Sequence, residues 1–137
     1  MGHQHENMKK SHIFIVEDCE MMRQFLTVYL AGSGEVHAFA SGSEALDALS
    51  LENWPDVIIL DLNLPDMHGV DIIRHLQGKQ LLGRSKVIVL SGEATASSRI
   101  ACLSAGAADY VAKPFHPREL KLRIEKIIGT TEISRVA

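Results

Sequence analysis

Val57-Ile58-Ile59-Leu60-Asp61-Leu62-Asn63-Leu64-Pro65-Asp66-Met67-His68-Gly69 is the stretch whose reading decides the fold. Four apolar residues in succession, three of them β-branched, lack the alternation of a half-solvated strand, so they read as a strand covered on both faces. The run stops at a carboxylate. A loop carrying Pro65 and Gly69 follows, and a helical pattern then runs from about Val70 through Leu76 before Gly78.

The same grammar recurs on either side. Ile13-Phe14-Ile15-Val16 and Val87-Ile88-Val89-Leu90 are two further buried strands, while Val36 to Ala40, with His37 inside it, and Asp109 to Ala112 read as edge strands. Between them lie amphipathic segments. Met22, Phe25, Leu26, Tyr29 and Leu30 repeat at helical spacing before Gly32, and Ser41 with Glu44 makes a capping box ahead of Ala45, Leu46 and Leu49. Ala96 to Ala105, closed by Gly106, offers only Ile100, Cys102 and Leu103 for burial, so it is expected to dock most loosely. Pro117 opens a last helix that stacks Leu120, Ile124, Ile127 and Ile128. Five strand-helix repeats between Ser11 and Ile128 predict an α/β, doubly wound parallel sheet with five helices on its two faces.

In such a sheet ligands sit beyond the carboxyl ends of the strands, where the strand order reverses. Strand 1 ends in Glu17-Asp18, strand 3 in Asp61, strand 4 in Ser91 and strand 5 in Lys113-Pro114. Helix capping explains one or two of these positions but not three carboxylates, a hydroxyl and a lysine at one rim. Two carboxylates about 4 Å apart at an effective dielectric near 20 repel by roughly 4 kcal/mol, enough to favour protonation of one unless a cation intervenes. Hard oxygen ligands with room for phosphate oxygens suit Mg²⁺. The chemistry implied is phosphoryl transfer with Asp61 as the nucleophile, Glu17 and Asp18 serving the metal, and Ser91 and Lys113 each holding a phosphate oxygen. Lys113-Pro114 is a candidate cis bond that would aim the lysine.

Composition narrows the class. The chain has 137 residues, 14 Lys+Arg against 17 Asp+Glu and hence a formal charge of −3, with 46% hydrophobic and 23% charged residues. That is one foldable domain, outside the disordered and disulfide-rich classes. With a sequence pI near 6.1 and no basic run, nucleic-acid binding by bulk charge is excluded. Cys19 and Cys102 fit no disulfide or metal spacing, and read as surface or packing thiols. No apolar stretch approaches a membrane span, and Met1 to Lys10 has no apolar signal region, so the expected compartment is the cytoplasm. Residues 1–10 read as a flexible arm or a cloning remnant in which His3 and His5 are incidental. Glu6 stands where a myristoylation motif requires Ser or Thr.

Ile15-Val16-Glu17-Asp18, the Val57 to Gly69 stretch, Val89-Leu90-Ser91-Gly92 and Gly106 to Phe115 together resemble the receiver domain of two-component response regulators. The resemblance covers residues 11–128 and implies a flavodoxin-like strand order of 2-1-3-4-5, leaving 129–137 as a tail or linker. It implies that Asp61 accepts a phosphoryl group from a histidine kinase or phosphotransfer protein. Asp18, Asp61 and the backbone carbonyl of Asn63 would bind Mg²⁺ directly, with Glu17 acting through water. Glu17 departs from the commoner pair of aspartates. Ser91 would be the switch hydroxyl, Tyr110 the aromatic that changes exposure, and Asn63 and Glu93 the positions that tune acyl-phosphate lifetime. To invert a 1:99 equilibrium the phosphoryl group must favour the active state by about 5.5 kcal/mol, so a partner or dimer contact is expected to contribute.

The last third, from Lys113 to Ile124, is similar to receivers of winged-helix DNA-binding regulators, which pair through helix 4, strand 5 and helix 5. Arg99 with Glu119 and Asp109 with Arg123 match two of their ion pairs, and Ala108 replaces a third acidic position. Two rivals stand beside this reading. A haloacid-dehalogenase phosphatase places its nucleophile first and its acidic pair last, the reverse of Glu17-Asp18 before Asp61. A pseudo-receiver acting only as an interaction module would have no need of Asp61, Ser91 and Lys113. Gly129 to Ala137 are too few for an effector domain, which suggests a stand-alone regulator or a receiver taken from a longer protein.

Overall fold

The computed structural model describes residues 10–50, 53–93 and 95–136. Their elements alternate without interruption: β1 (His12–Val16), α1 (Glu20–Tyr29), β2 (Glu35–Phe39), α2 (Gly42–Ala48), β3 (Val57–Leu60), α3 (Gly69–Gly78), β4 (Lys86–Ser91), α4 (Ala96–Ala105), β5 (Asp109–Ala112) and α5 (Pro117–Val136). All strand pairings are parallel, in the order β2-β1-β3-β4-β5. This is the doubly wound parallel sheet that the apolar runs predict, in the flavodoxin-like order that the family resemblance implies.

Residues alternate across each central strand, and both sets are buried. Phe14, Val16, Ile58, Leu60, Val87 and Val89 pack on one face with Ala45, Ile72, Ile73 and Leu76 of α2 and α3. Ile13, Ile15, Val57, Ile59, Ile88 and Leu90 pack on the other with Leu26 of α1, Leu30 at its end, and Leu120, Ile124 and Ile128 of α5. Two covered faces leave no position for a polar residue, which is why the strands read as unbroken apolar runs.

Strand order reverses at β1, which has β2 on one side and β3 on the other. The two connections leave a crevice between the ends of β1 and β3, and Glu17 and Asp61 stand at those ends.

Element ends follow local chemistry with two differences from expectation, at the start of α2 and the end of α5. Ser41 caps α2 by accepting the Glu44 N–H, but the Glu44 carboxylate reaches the N–H of Ala40, one residue beyond the capping-box partner. α4 stops at Gly106, whose φ of 119° lies in the left-handed region that glycine tolerates. α5 does not end near Ile128. It continues to Val136, so the expected tail 129–137 is helical as far as that residue. The arm lies outside the described residues except for exposed Lys10. Cys102 is fully buried and Cys19 exposed, the two thiol environments expected.

Candidate functional site: an acidic pocket at the strand ends

Asp61 follows β3 immediately and is held there by backbone pairing, its N–H donating to Val16 O at 3.0 Å. Glu17 follows β1 and is joined to β2 through its own N–H, 3.0 Å from Phe39 O. Ligand oxygens of Glu17, Asp18 and Asp61 all lie within 4.8 Å of one another. Glu17 and Asp61 are buried, whereas Asp18 is open to solvent. Lys113, from the end of β5, closes the group. Its Nζ donates to Glu17 Oε1 at 2.7 Å and stands 3.8 Å from Asp61 Oδ2. The Lys113-Pro114 peptide is cis, as the motif suggested.

Three carboxylates against one ammonium leave the pocket with an excess of negative charge. Burial pushes the Asp61 carboxyl from its ordinary 3.8 up to about 6; the Glu17 charge adds to the rise, and Lys113 opposes it. The sequence pointed to repulsion between carboxylates, but desolvation is the larger cause. A divalent cation relieves both, because it replaces the lost hydration and neutralises the carboxylates together. The donor set is all oxygen, as Mg²⁺ requires.

The loops that carry these groups are fixed by residues the sequence did not single out. Arg23, one turn into α1, donates through Nη1 to the backbone oxygens of Glu17 at 2.9 Å and Asp18 at 2.8 Å. The guanidinium thereby clamps the loop that presents two of the carboxylates. Asp66 accepts the N–H groups of Gly42 at 2.9 Å and Ser43 at 2.8 Å, tying the loop after β3 to the start of α2. Those backbone donors, Ser43 first, hold the Asp66 carboxyl below its ordinary range. Helix periodicity gave no sign of either contact, since both bonds go to backbone of another segment. The position of Arg23 one turn after the acidic pair is the only hint the sequence offers.

Ser91 is fully buried at the end of β4, where its Oγ accepts the Glu93 N–H at 3.0 Å. Its carbonyl accepts the Lys113 N–H at 2.7 Å, so the hydroxyl and lysine segments are joined through backbone. Asn63 is exposed beside the pocket, and its N–H faces Asp61 Oδ1 at a long 3.4 Å. Tyr110 is 5% exposed. Its hydroxyl donates to Glu93 O and lies 3.3 Å from Ser98 Oγ, with the Arg99 guanidinium 5.2 Å from the ring centroid.

A family model described as the response regulator receiver domain matches residues 13–125. The chain belongs to the response regulator receiver family. The transcriptional regulatory protein SrrA of Staphylococcus aureus is 34% identical over 127 residues, which are 92% of this chain and 51% of SrrA. This receiver domain therefore spans about half the length of that curated relative. Among solved structures it is similar to the BeF3-activated receiver domain of DrrB, a Thermotoga maritima protein, with 28% identity, a TM-score of 0.80 and coverage of 88% of this chain and 99% of that one. A CheY-like receiver domain protein from Methanospirillum hungatei gives 27% identity, a TM-score of 0.82 and coverage of 92% and 99%.

Residues of the expected pairing face also make contacts within the single chain. Arg123 Nη1 donates to Asp109 Oδ2 at 2.6 Å and Nη2 to Glu119 Oε2 at 3.1 Å, and the Arg99 guanidinium lies over the Tyr110 ring. Among the described residues no helix is long and apolar enough to cross a membrane.

Proposed function

We propose that this receiver takes a phosphoryl group onto Asp61 from a phosphohistidine of a histidine kinase or phosphotransfer protein, in a Mg²⁺-dependent step of a two-component relay. The observation that carries the reading is the convergence of Glu17, Asp18 and Asp61 around one point with Lys113 against them. Asp61 is the acceptor because it ends a central strand and pairs burial with an adjacent cation. Its carboxylate oxygen attacks phosphorus, the bond from phosphorus to the donor imidazole breaks, and an acyl phosphate remains.

Asp18, Asp61 and the backbone carbonyl of Asn63 would hold Mg²⁺, with Glu17 behind them. Bound there, the ion supplies positive charge to the phosphoryl oxygens and to the crowded carboxylates. Lys113 takes one phosphoryl oxygen and the Ser91 hydroxyl donates to another. Drawing Ser91 toward the phosphoryl group loosens its bond to the Glu93 N–H, and Glu93 O is the acceptor of the Tyr110 hydroxyl. The switch thus runs from Asp61 through Ser91 and Glu93 to Tyr110, with Asn63 and Glu93 setting acyl-phosphate lifetime. The α4-β5-α5 face, carrying Arg99, Asp109, Glu119 and Arg123, is the output surface and pairs with a second copy when phosphorylated. The domain works in the cytoplasm as a signalling module whose only chemistry is its own phosphorylation and dephosphorylation.

Intact mass after incubation with acetyl phosphate and Mg²⁺ tests the assignment. Wild type is expected to gain one phosphoryl group, while Asp61→Asn and chelator-treated wild type gain none. An unlabelled wild type would leave the interaction-module reading, and multiple-turnover hydrolysis of a phosphomonoester would revive the phosphatase. Sedimentation at tens of micromolar with a beryllofluoride mimic tests pairing; an unchanged coefficient removes it.

A further inference from the structure

At the opposite end of the sheet from Asp61, a second set of ligand-type side chains comes together. The parallel register pairs His12, the first residue of β1, with Glu35, the first of β2, and pairs Phe14 with His37. Side chains two apart share a face, so His12, Glu35 and His37 project from the same side of this strand pair. His12 Nδ1 stands 3.4 Å from His37 Nε2 and 3.4 Å from Glu35 Oε2. The three ligand atoms all lie within 4.8 Å of one another.

Hydrogen bonding accounts poorly for this arrangement. Two contacts converge on one ring nitrogen, which carries at most one proton, and both exceed the roughly 2.7 to 3.2 Å of a well-formed bond. Coordination accounts for it directly. Two nitrogens each about 2.05 Å from one tetrahedral ion are separated by about 3.3 Å, the edge of the tetrahedron. Both 3.4 Å separations lie close to that edge. The imidazoles are stacked, with centroids 5.7 Å apart and planes at 16°, and the edge-to-face contact of Phe14 supports the His37 ring. His12 and Glu35 have side chains 41% and 48% exposed, so an ion has a path in.

We infer that His12, Glu35 and His37 form a site for a divalent transition metal ion of the Zn²⁺ class, with the fourth position taken by water. Two imidazoles and one carboxylate are a borderline donor set, suited to Zn²⁺ and poorly to Mg²⁺. The all-oxygen pocket at Asp61 has the opposite preference, so the two ends of the sheet select different ions. Bound metal would staple the edge strand β2 to β1 without touching the phosphoryl chemistry.

Calorimetric titration of the full chain with Zn²⁺, in millimolar Mg²⁺ to occupy the acidic pocket, tests the site. The titration uses a His3→Ala, His5→Ala background so that arm histidines are not read as this site. That background is expected to bind one Zn²⁺ per chain at micromolar concentrations. Adding His37→Ala should weaken binding by at least about tenfold, and Glu35→Gln, an exposed change that keeps the fold if His37→Ala does not, should weaken it measurably. Co²⁺ in the same background should show the intense visible absorption of tetrahedral coordination. Loss of all uptake on removing His3 and His5, or undiminished affinity in both site variants, would overturn the inference.

Discussion

Asp61 is stable in the fold only at a cost, and that cost can be read as a function of pH. Its carboxyl titrates near 6 in the folded chain against an ordinary 3.8. From about pH 4 to pH 6 the folded chain keeps a proton that the unfolded chain has released, so stability falls as pH rises through that window and levels off above it. Asp61→Asn removes the penalty. The metal-free variant is expected to be more stable than wild type at pH 7 by about 2 kcal/mol, with the gain vanishing below about pH 4; urea titrations at both pH values measure it, and equal midpoints at pH 7 would refute it. Lys113→Met acts in the opposite direction. It leaves buried Glu17 without its cation, and urea unfolding at pH 7 should report a loss of about 2 kcal/mol. The charged members of this pocket were legible in the sequence because Glu17, Asp61 and Lys113 are each the first polar residue after an apolar run and Asp18 follows Glu17 directly. Arg23 and Asp66 were not, because their partners are backbone groups whose positions depend on the fold.

Two loops carry the three carboxylates of the pocket, and each has a device that sets its path. A Cβ on Gly69 would lie 2.9 Å from both Asp61 O and Leu62 Cα, backbone atoms that cannot move without displacing Asp61. Gly69→Ala is therefore expected to destabilise the chain by about 1 to 3 kcal/mol and to slow phosphoryl uptake, read by denaturation and by mass labelling. A variant equal to wild type in both would show that the loop can yield. The other loop hangs on Arg23. Arg23→Ala should leave the carboxylates present but loosely held, weakening Mg²⁺ binding several-fold while the far-ultraviolet spectrum is unchanged; titration with Mg²⁺ checks it. Element existence was legible from apolar runs and caps. The end of α5 was not, because the expectation was anchored on the buried stripe that finishes at Ile128, whereas backbone hydrogen bonding carries the helix on to Val136.

Across the whole molecule, the helices are unevenly docked on the sheet. α3 buries Val70, Ile72, Ile73 and Leu76, whereas α4 buries Cys102 alone and leaves Ile100 61% and Leu103 44% exposed. Amide exchange is expected to be faster in α4 than in α3, and to change on phosphorylation chiefly in α4 and β5; protection in α4 equal to that in α3 would contradict this. Tyr110 joins these two elements to the β4-α4 loop through Glu93 and Ser98. The weakly docked helix and the buried aromatic thus form one mechanical unit next to the pocket.

What the sequence determined by itself was the class of fold and the roster of reactive groups. Strands buried on both faces must be unbroken apolar runs, and the chain must change character where each run leaves the sheet, so Glu17, Asp18, Asp61, Ser91 and Lys113 could be found by reading alone. Only the tertiary structure decided how those groups meet. Lys113 is bonded to Glu17 rather than to Asp61 in this state, Ser91 turns toward the Glu93 N–H, and Arg123 takes both Asp109 and Glu119 within one chain. The same holds at the far rim, where His12 is remote in sequence from Glu35 and His37 and meets them only through the β1-β2 register. The reason is physical: periodicity reports which face of an element is buried, while ion pairs and ligand sets depend on distances between elements, which no single segment encodes.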